Sequence, residues 1–124
     1  MSPNSLKIIE QTLKKTELGN DSGFVEFVID YFTHMHKGYW VYPGSFKKHY
    51  PVNIKDVYSF LSMLDKQGIL KPYLEPYCPE CHRYLSPAFE TIDEFESLID
   101  CECGNEFNPN NHLVVIYKVV NDGD

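Results

Sequence analysis

Apolar side chains recur at three- and four-residue intervals in three stretches of the chain, and each stretch predicts an amphipathic helix. The first holds Leu6, Ile9 and Leu13. Ser2-Pro3 opens it as a capping residue followed by proline at the first helical position, and Gly19 reads as its stop. After a loop at 20–23, the second carries Phe24, Phe27, Val28, Tyr31 and Met35 on one face and ends near Gly38. The third places Ile54, Val57, Leu61 and Leu64 on a buried stripe, with Asn53 as cap and Gly68 as stop. One or two further turns fit residues 45–50. A capping box at 91–94 precedes the helical spacing of Ile92, Phe95 and Leu98.

Between the helices the pattern turns strand-like. Residues 39–42 are aromatic and β-branched, closed by Pro43-Gly44. Residues 69–77 are interrupted by Pro72 and Pro76, which predicts a sheet edge or an irregular strand. A return strand around 83–89 would put Cys78 and Cys81 at the tip of a hairpin. Residues 113–120 form a β-branched strand that joins the same sheet, and the polar residues 121–124 are expected to fray. The longest apolar run, residues 113–117, is far shorter than the roughly 20 residues of a membrane helix. No charged-then-apolar leader opens the chain. The expected location is therefore the cytoplasm, a reducing compartment.

A chain of 124 residues has room for one domain, and 43% hydrophobic content is enough to pack it. The expected subdivision is an N-terminal helix over 1–23, a helical segment over 24–77 and a cysteine-bearing segment over 78–120. The net charge of −7 is unevenly placed. Residues 78–124 carry two basic against ten acidic side chains, whereas residues 24–77 carry six against five. A surface that acidic repels phosphate backbones, which counts against nucleic-acid binding by the last segment.

Cysteine spacing adds chemistry. Cys78-Pro79-Glu80-Cys81 and Cys101-Glu102-Cys103-Gly104 are two close pairs separated by residues 82–100, the spacing of a four-cysteine zinc site. Zinc is borderline soft and favours four thiolates in a closed tetrahedron, each close pair supplying half of it. Four sulfurs leave no open position for water or substrate, so a structural Zn2+ is expected rather than a catalytic one. The segment resembles a zinc ribbon over roughly residues 77–120. Its second knuckle departs from the ribbon pattern, because one residue rather than two separates Cys101 from Cys103. That departure leaves open whether His82 or His112 replaces one sulfur.

The order of elements before the cysteines resembles a winged helix-turn-helix. The residues that carry it are 24–37, 39–42, 45–50, 53–67 and the strand from Ile69, with Leu61-x-x-Leu64-x-x-x-Gly68-Ile69-Leu70 as the passage from third helix to wing. Together with the ribbon, the order is similar to that of archaeal and eukaryotic transcription initiation factor E subunits. The resemblance implies an α+β fold: a winged-helix core with a zinc-ribbon extension on the wing.

Two functions follow as expectations. The sequence offers no nucleophile–base pair, glycine-rich phosphate loop or open metal site, so a non-enzymatic role is expected. The acidic ribbon and surplus aromatics suit a protein-interaction adaptor or small subunit of a larger complex, with Trp40 and Tyr42 as candidate partner-binding residues. The alternative is a DNA-binding transcriptional regulator, in which Lys47, Lys48 and Lys55 contact phosphate. The exposed positions of the third helix would then be Lys55, Asp56, Ser59, Ser62 and Lys66, a weak face for reading bases. His34 and His36 are expected near a helix C-terminus, where the dipole favours cations.

Overall fold

The computed structural model describes residues 1–78, 83–84, 88, 90 and 113–123. In chain order the elements are α1 (Pro3–Lys14), a 3-10 turn (Glu17–Asn20), α2 (Ser22–Thr33), β1 (Trp40–Val41), α3 (Pro43–His49), α4 (Ile54–Lys66), β2 (Leu70–Cys78), β3 (Arg83–Tyr84) and β4 (Leu113–Val119). The class is mixed α+β, as the sequence predicts. The chain divides into two compact units, Met1–Lys71 with Tyr117–Asp124, and Pro72–Ile116.

In the first unit, α1 starts where the sequence places it, with the Ser2 hydroxyl accepting from Ser5 N–H at 3.2 Å and Pro3 in the first turn. Its buried stripe is Ser5, Ile9, Thr12 and Leu13, while Leu6 is half-buried. Two small polar residues are accepted inside because their groups are paired. Thr12 Oγ1 donates to Ile8 O at 2.7 Å and receives Gln67 Nε2 from beyond α4 at 2.7 Å. The helix ends at Lys14 rather than at Gly19. Gly19 instead closes the 3-10 turn back onto α1, where a Cβ would come within 2.6 Å of Leu13 O.

Asp21 caps α2, its carboxylate accepting from Gly23 N–H at 2.9 Å and Phe24 N–H at 3.1 Å. Residues 20–23, loop-like in sequence, are thus a cap and a first turn. Phe24, Val28 and Phe32 are buried; Phe27 and Tyr31 are half-buried and join an aromatic cluster with α3. Phe46 is its hub, with ring centroids 4.7 Å from Tyr31, 6.2 Å from Phe27 and 6.3 Å from Phe32. Burial pushes the Tyr31 phenol up, against the lowering effect of its hydrogen bonds to the Tyr42 backbone and the Ser45 side chain. The helix stops at Thr33, so His34 and His36 lie in the turn beyond it, and Gly38 takes the positive φ of 99° that leads into β1.

Pro43, read as the end of a strand, is also the start of α3, because its fixed φ suits a first helical turn. Asn53 caps α4, accepting from Lys55 N–H at 2.9 Å. Val57, Phe60, Leu61 and Leu64 are buried there, each contributing roughly 1.5–3 kcal/mol on transfer from water. Gly68, at φ 80°, ends it.

β1 pairs antiparallel with β4 in the register Trp40↔Lys118 and Val41↔Tyr117, and the strand order is β1-β4-β2-β3. The described residues after β4 are docked rather than frayed. Val120 N–H donates to Ile69 O at 2.9 Å, and Asp122 O accepts from Ser2 N–H at 2.7 Å.

In the second unit, β2 pairs antiparallel with β3 in the register Tyr77↔Tyr84 and Cys78↔Arg83. Tyr73 donates to Glu90 Oε1 at 3.3 Å. Glu75 is buried in β2, and desolvation pushes its carboxyl above the usual glutamate range. The capping box at 91–94, the helical spacing after it and the second cysteine pair lie outside the described residues.

Candidate functional site

Cys78 is the last residue of β2, and its paired partner Arg83 opens β3. The antiparallel strands expected on either side of the first cysteine pair are therefore present, with Cys78 at the last paired position of β2; residues 79–82 lie outside the described residues. Cys81, Cys101 and Cys103 lie outside the described residues, as do His82 and His112. Among the described residues, no group of three or more His, Cys, Asp or Glu is placed to hold a metal ion. A donor set completed by Cys81, Cys101 and Cys103 fits zinc in its chemistry, since thiolates are the ligands that structural zinc favours.

The candidate phosphate contacts fall on two helices joined by a short link. Lys47 and Lys48 are exposed on the last turn of α3, beside exposed His49, whose ring centroid is 5.2 Å from that of Phe27. Lys55 is exposed in the first turn of α4, and α3 packs on α4. The outward side of α4 is less open than its sequence suggests. Lys55, Ser59 and Lys66 are exposed, but Asp56 and Ser62 are half-buried. The Ser62 hydroxyl lies 3.2 Å from the Tyr117 hydroxyl, and the Tyr58 ring stands 6.5 Å from the Tyr117 ring. Part of that helix face is thus turned toward β4.

No protein-family model, no curated protein and no solved structure matches the chain. Its functional reading rests on geometry and chemistry alone.

The aromatic candidates differ from one another. Trp40 is half-buried, with Lys118 Nζ 5.0 Å from its ring centroid, a cation–π contact across paired positions. Tyr42 is 40% exposed. Tyr39, which the sequence did not single out, is the most exposed large apolar residue among those described, at 50%. Strand alternation places Tyr39 with buried Val41, but Tyr39 stands just before β1, its N–H donating to His36 O at 3.0 Å and its carbonyl accepting from Val119 N–H at 2.9 Å.

Asp122 is a further junction without a signal in the sequence. Its carboxylate accepts from Lys37 N–H at 3.0 Å and lies 3.9 Å from His36 Nδ1. Among the described residues, no helix is long and apolar enough to cross a membrane.

Proposed function

We propose that this chain is a non-enzymatic winged helix-turn-helix protein, carrying a structural zinc ion on an extension of its wing and acting as a protein-interaction adaptor or small subunit of a larger complex. The observation that carries the reading is the strand order β1-β4-β2, with α3 and α4 inserted between β1 and β2. A winged helix has that wiring: a short first strand, two helices, then two strands joined by the wing. Here Cys78 closes β2, and the stretch between β2 and β4 bears the other three cysteines. Cys78, Cys81, Cys101 and Cys103 would hold the metal, whose chemistry is a crosslink between distant parts of the wing.

The adaptor role rests on charge and on α4. The last segment repels a phosphate backbone, and the helix that would enter a groove offers Lys55, Ser59 and Lys66 with Ser62 turned to Tyr117. Exposure of Lys47, Lys48 and Lys55 favours the second reading, a DNA-binding regulator. Two titrations decide between them. Labelled random duplex DNA over a salt series is expected to show no saturable binding at about 150 mM salt, where ordinary non-specific affinities are roughly 10⁻⁴–10⁻⁶ M. A pull-down from the source cell is expected to retain a protein partner. Micromolar duplex affinity with a steep salt slope, abolished by Lys47→Glu with Lys48→Glu, would establish the regulator instead.

A further inference from the structure

Residues 31–55 contain four lysines, three histidines and no carboxylate. Asp30 and Asp56 close this acid-free run on either side. The structure folds it into one continuous piece of the first unit: the end of α2, the turn to β1, α3, and the start of α4. Lys37, Lys47, Lys48 and Lys55 are all exposed along it, as are His34, His36 and His49. Among the described residues, Asp122 reaches this piece from elsewhere, beside His36 and the Lys37 N–H.

The same run carries the two most exposed aromatic residues among those described, Tyr39 and Tyr42. Tyr42 is the cap residue of α3, a helix of seven residues and so only about 10 Å long. The tyrosine at its start and the two lysines of its last turn are thus within reach of one extended peptide. Exposed tyrosines among a surplus of cations make a surface suited to carboxylates with apolar or aromatic neighbours.

From these observations we infer that Lys37, Lys47, Lys48 and Lys55, with Tyr39 and Tyr42, form a docking face for an acidic segment of a partner protein. The inference rests on the adaptor reading and names the chemistry of one partner. A duplex is the poorer fit because the basic field ends at Lys55. Beyond it, α4 carries Asp56 next to Lys55 and Asp65 next to Lys66, so a groove-inserted helix would bring carboxylates toward phosphate. Tyrosines add affinity for a peptide, whereas a duplex backbone offers them no stacked base to meet.

The probe is a fluorescein-labelled 20-residue peptide of glutamates interspersed with leucine and tyrosine, followed by anisotropy against the full chain. Labelled random duplex DNA serves as the second ligand. Saturable peptide binding is expected, weakened about tenfold by Lys47→Glu with Lys48→Glu, and further by raising salt from about 50 to 150 mM. Tyr42→Ala should weaken it about threefold at constant salt, since that loss is apolar. A control pair, Lys7→Glu on α1 with Lys15→Glu just after it, both exposed, makes the same change in net charge outside the face and should leave affinity within about twofold. Unchanged melting temperatures of the variants confirm that each is folded. Absence of peptide binding, equal loss in the control pair, or tighter binding of duplex than of peptide would each overturn the assignment. A partner retained equally by the parent and the Lys47→Glu, Lys48→Glu variant would sink the face and leave the adaptor reading standing. Duplex binding with no protein partner retained would sink the adaptor reading itself.

Discussion

The backbone N–H of Ser2 donates to the carbonyl oxygen of Asp122 across 2.7 Å, and the carboxylate of the same aspartate accepts from Lys37 N–H at 3.0 Å. One residue beyond the last strand therefore ties the cap of α1 to the turn between α2 and β1. Gly123 lies against the same cap, at φ 83°, where a Cβ would strike the hydroxyls of Ser2 and Ser5. The strap replaces water as the partner of backbone groups that a helix start leaves open.

Gly123→Ala should accordingly destabilise the first unit. The positive φ disfavours any side chain, and the Ser2 and Ser5 hydroxyls leave no room for one; together these cost about 1–3 kcal/mol. A melting temperature several degrees below the parent's is expected, with faster amide exchange in the first turn of α1. Identical melting and exchange would mean that the strap holds nothing.

Phe46→Ala removes the hub of the α2–α3 cluster. Phe46 is 1% exposed and its ring meets Phe24, Phe27, Tyr31 and Phe32. Truncation should cost about 3–5 kcal/mol and flatten the near-ultraviolet dichroism of the tyrosines. A cost below about 1 kcal/mol would show that the cluster is not packed as described.

Much of the helical half was legible in the sequence because its signals are local. Ser2 and Asn53 cap as their chemistry dictates, and Gly68 stops α4 through its positive φ. The Leu61 and Leu64 stripe follows from helical period alone. What was not legible depends on partners distant in sequence. Thr12 is buried because Gln67 meets it, Ser62 is turned inward because Tyr117 meets it, and residues 120–123 are ordered because Ile69, Ser2 and Lys37 offer backbone partners. For the candidate site, the hairpin that presents Cys78 was legible from strand composition. Exposure of Tyr39 was not, since it stands where the turn from His36 meets the start of β1, a boundary that no periodic pattern encodes.

Glu75 makes a pH prediction. Desolvation raises its folded-state pKa above the value in the unfolded chain, so the folded protein binds this proton more tightly. Its stabilising contribution is complete below the unfolded glutamate pKa and is lost as pH rises through the raised folded value. Glu75→Gln should therefore match the parent near the ordinary glutamate pKa of about 4.3 and melt above it at neutral pH. A melting difference that is flat across this range, or that favours the parent at neutral pH, would refute the assignment.

The metal prediction joins the β2–β3 pair to the rest of residues 69–120. The register Cys78↔Arg83 places the first pair's leading cysteine at the end of a two-strand ladder too short to be stable alone. A crosslink from this point to Cys101 and Cys103 would close the long stretch between β3 and β4, and the free energy of zinc binding then becomes folding free energy for residues 69–120. Protein purified without added metal is expected to carry about one zinc per chain by elemental analysis. Cys81→Ser should lose most of that zinc and lower the melting temperature. Its amide exchange should rise first over 69–120 while α1 and α2 keep their protection, because their core is built from Ile9, Leu13, Phe24 and Val28. His82→Ala and His112→Ala separate a four-sulfur site from one in which histidine replaces a cysteine. Near-parent zinc content in both variants points to four sulfurs, whereas a loss equal to that of Cys81→Ser in either makes that histidine a ligand. Parent protein with no zinc and four freely titrating thiols would remove the metal from the fold altogether.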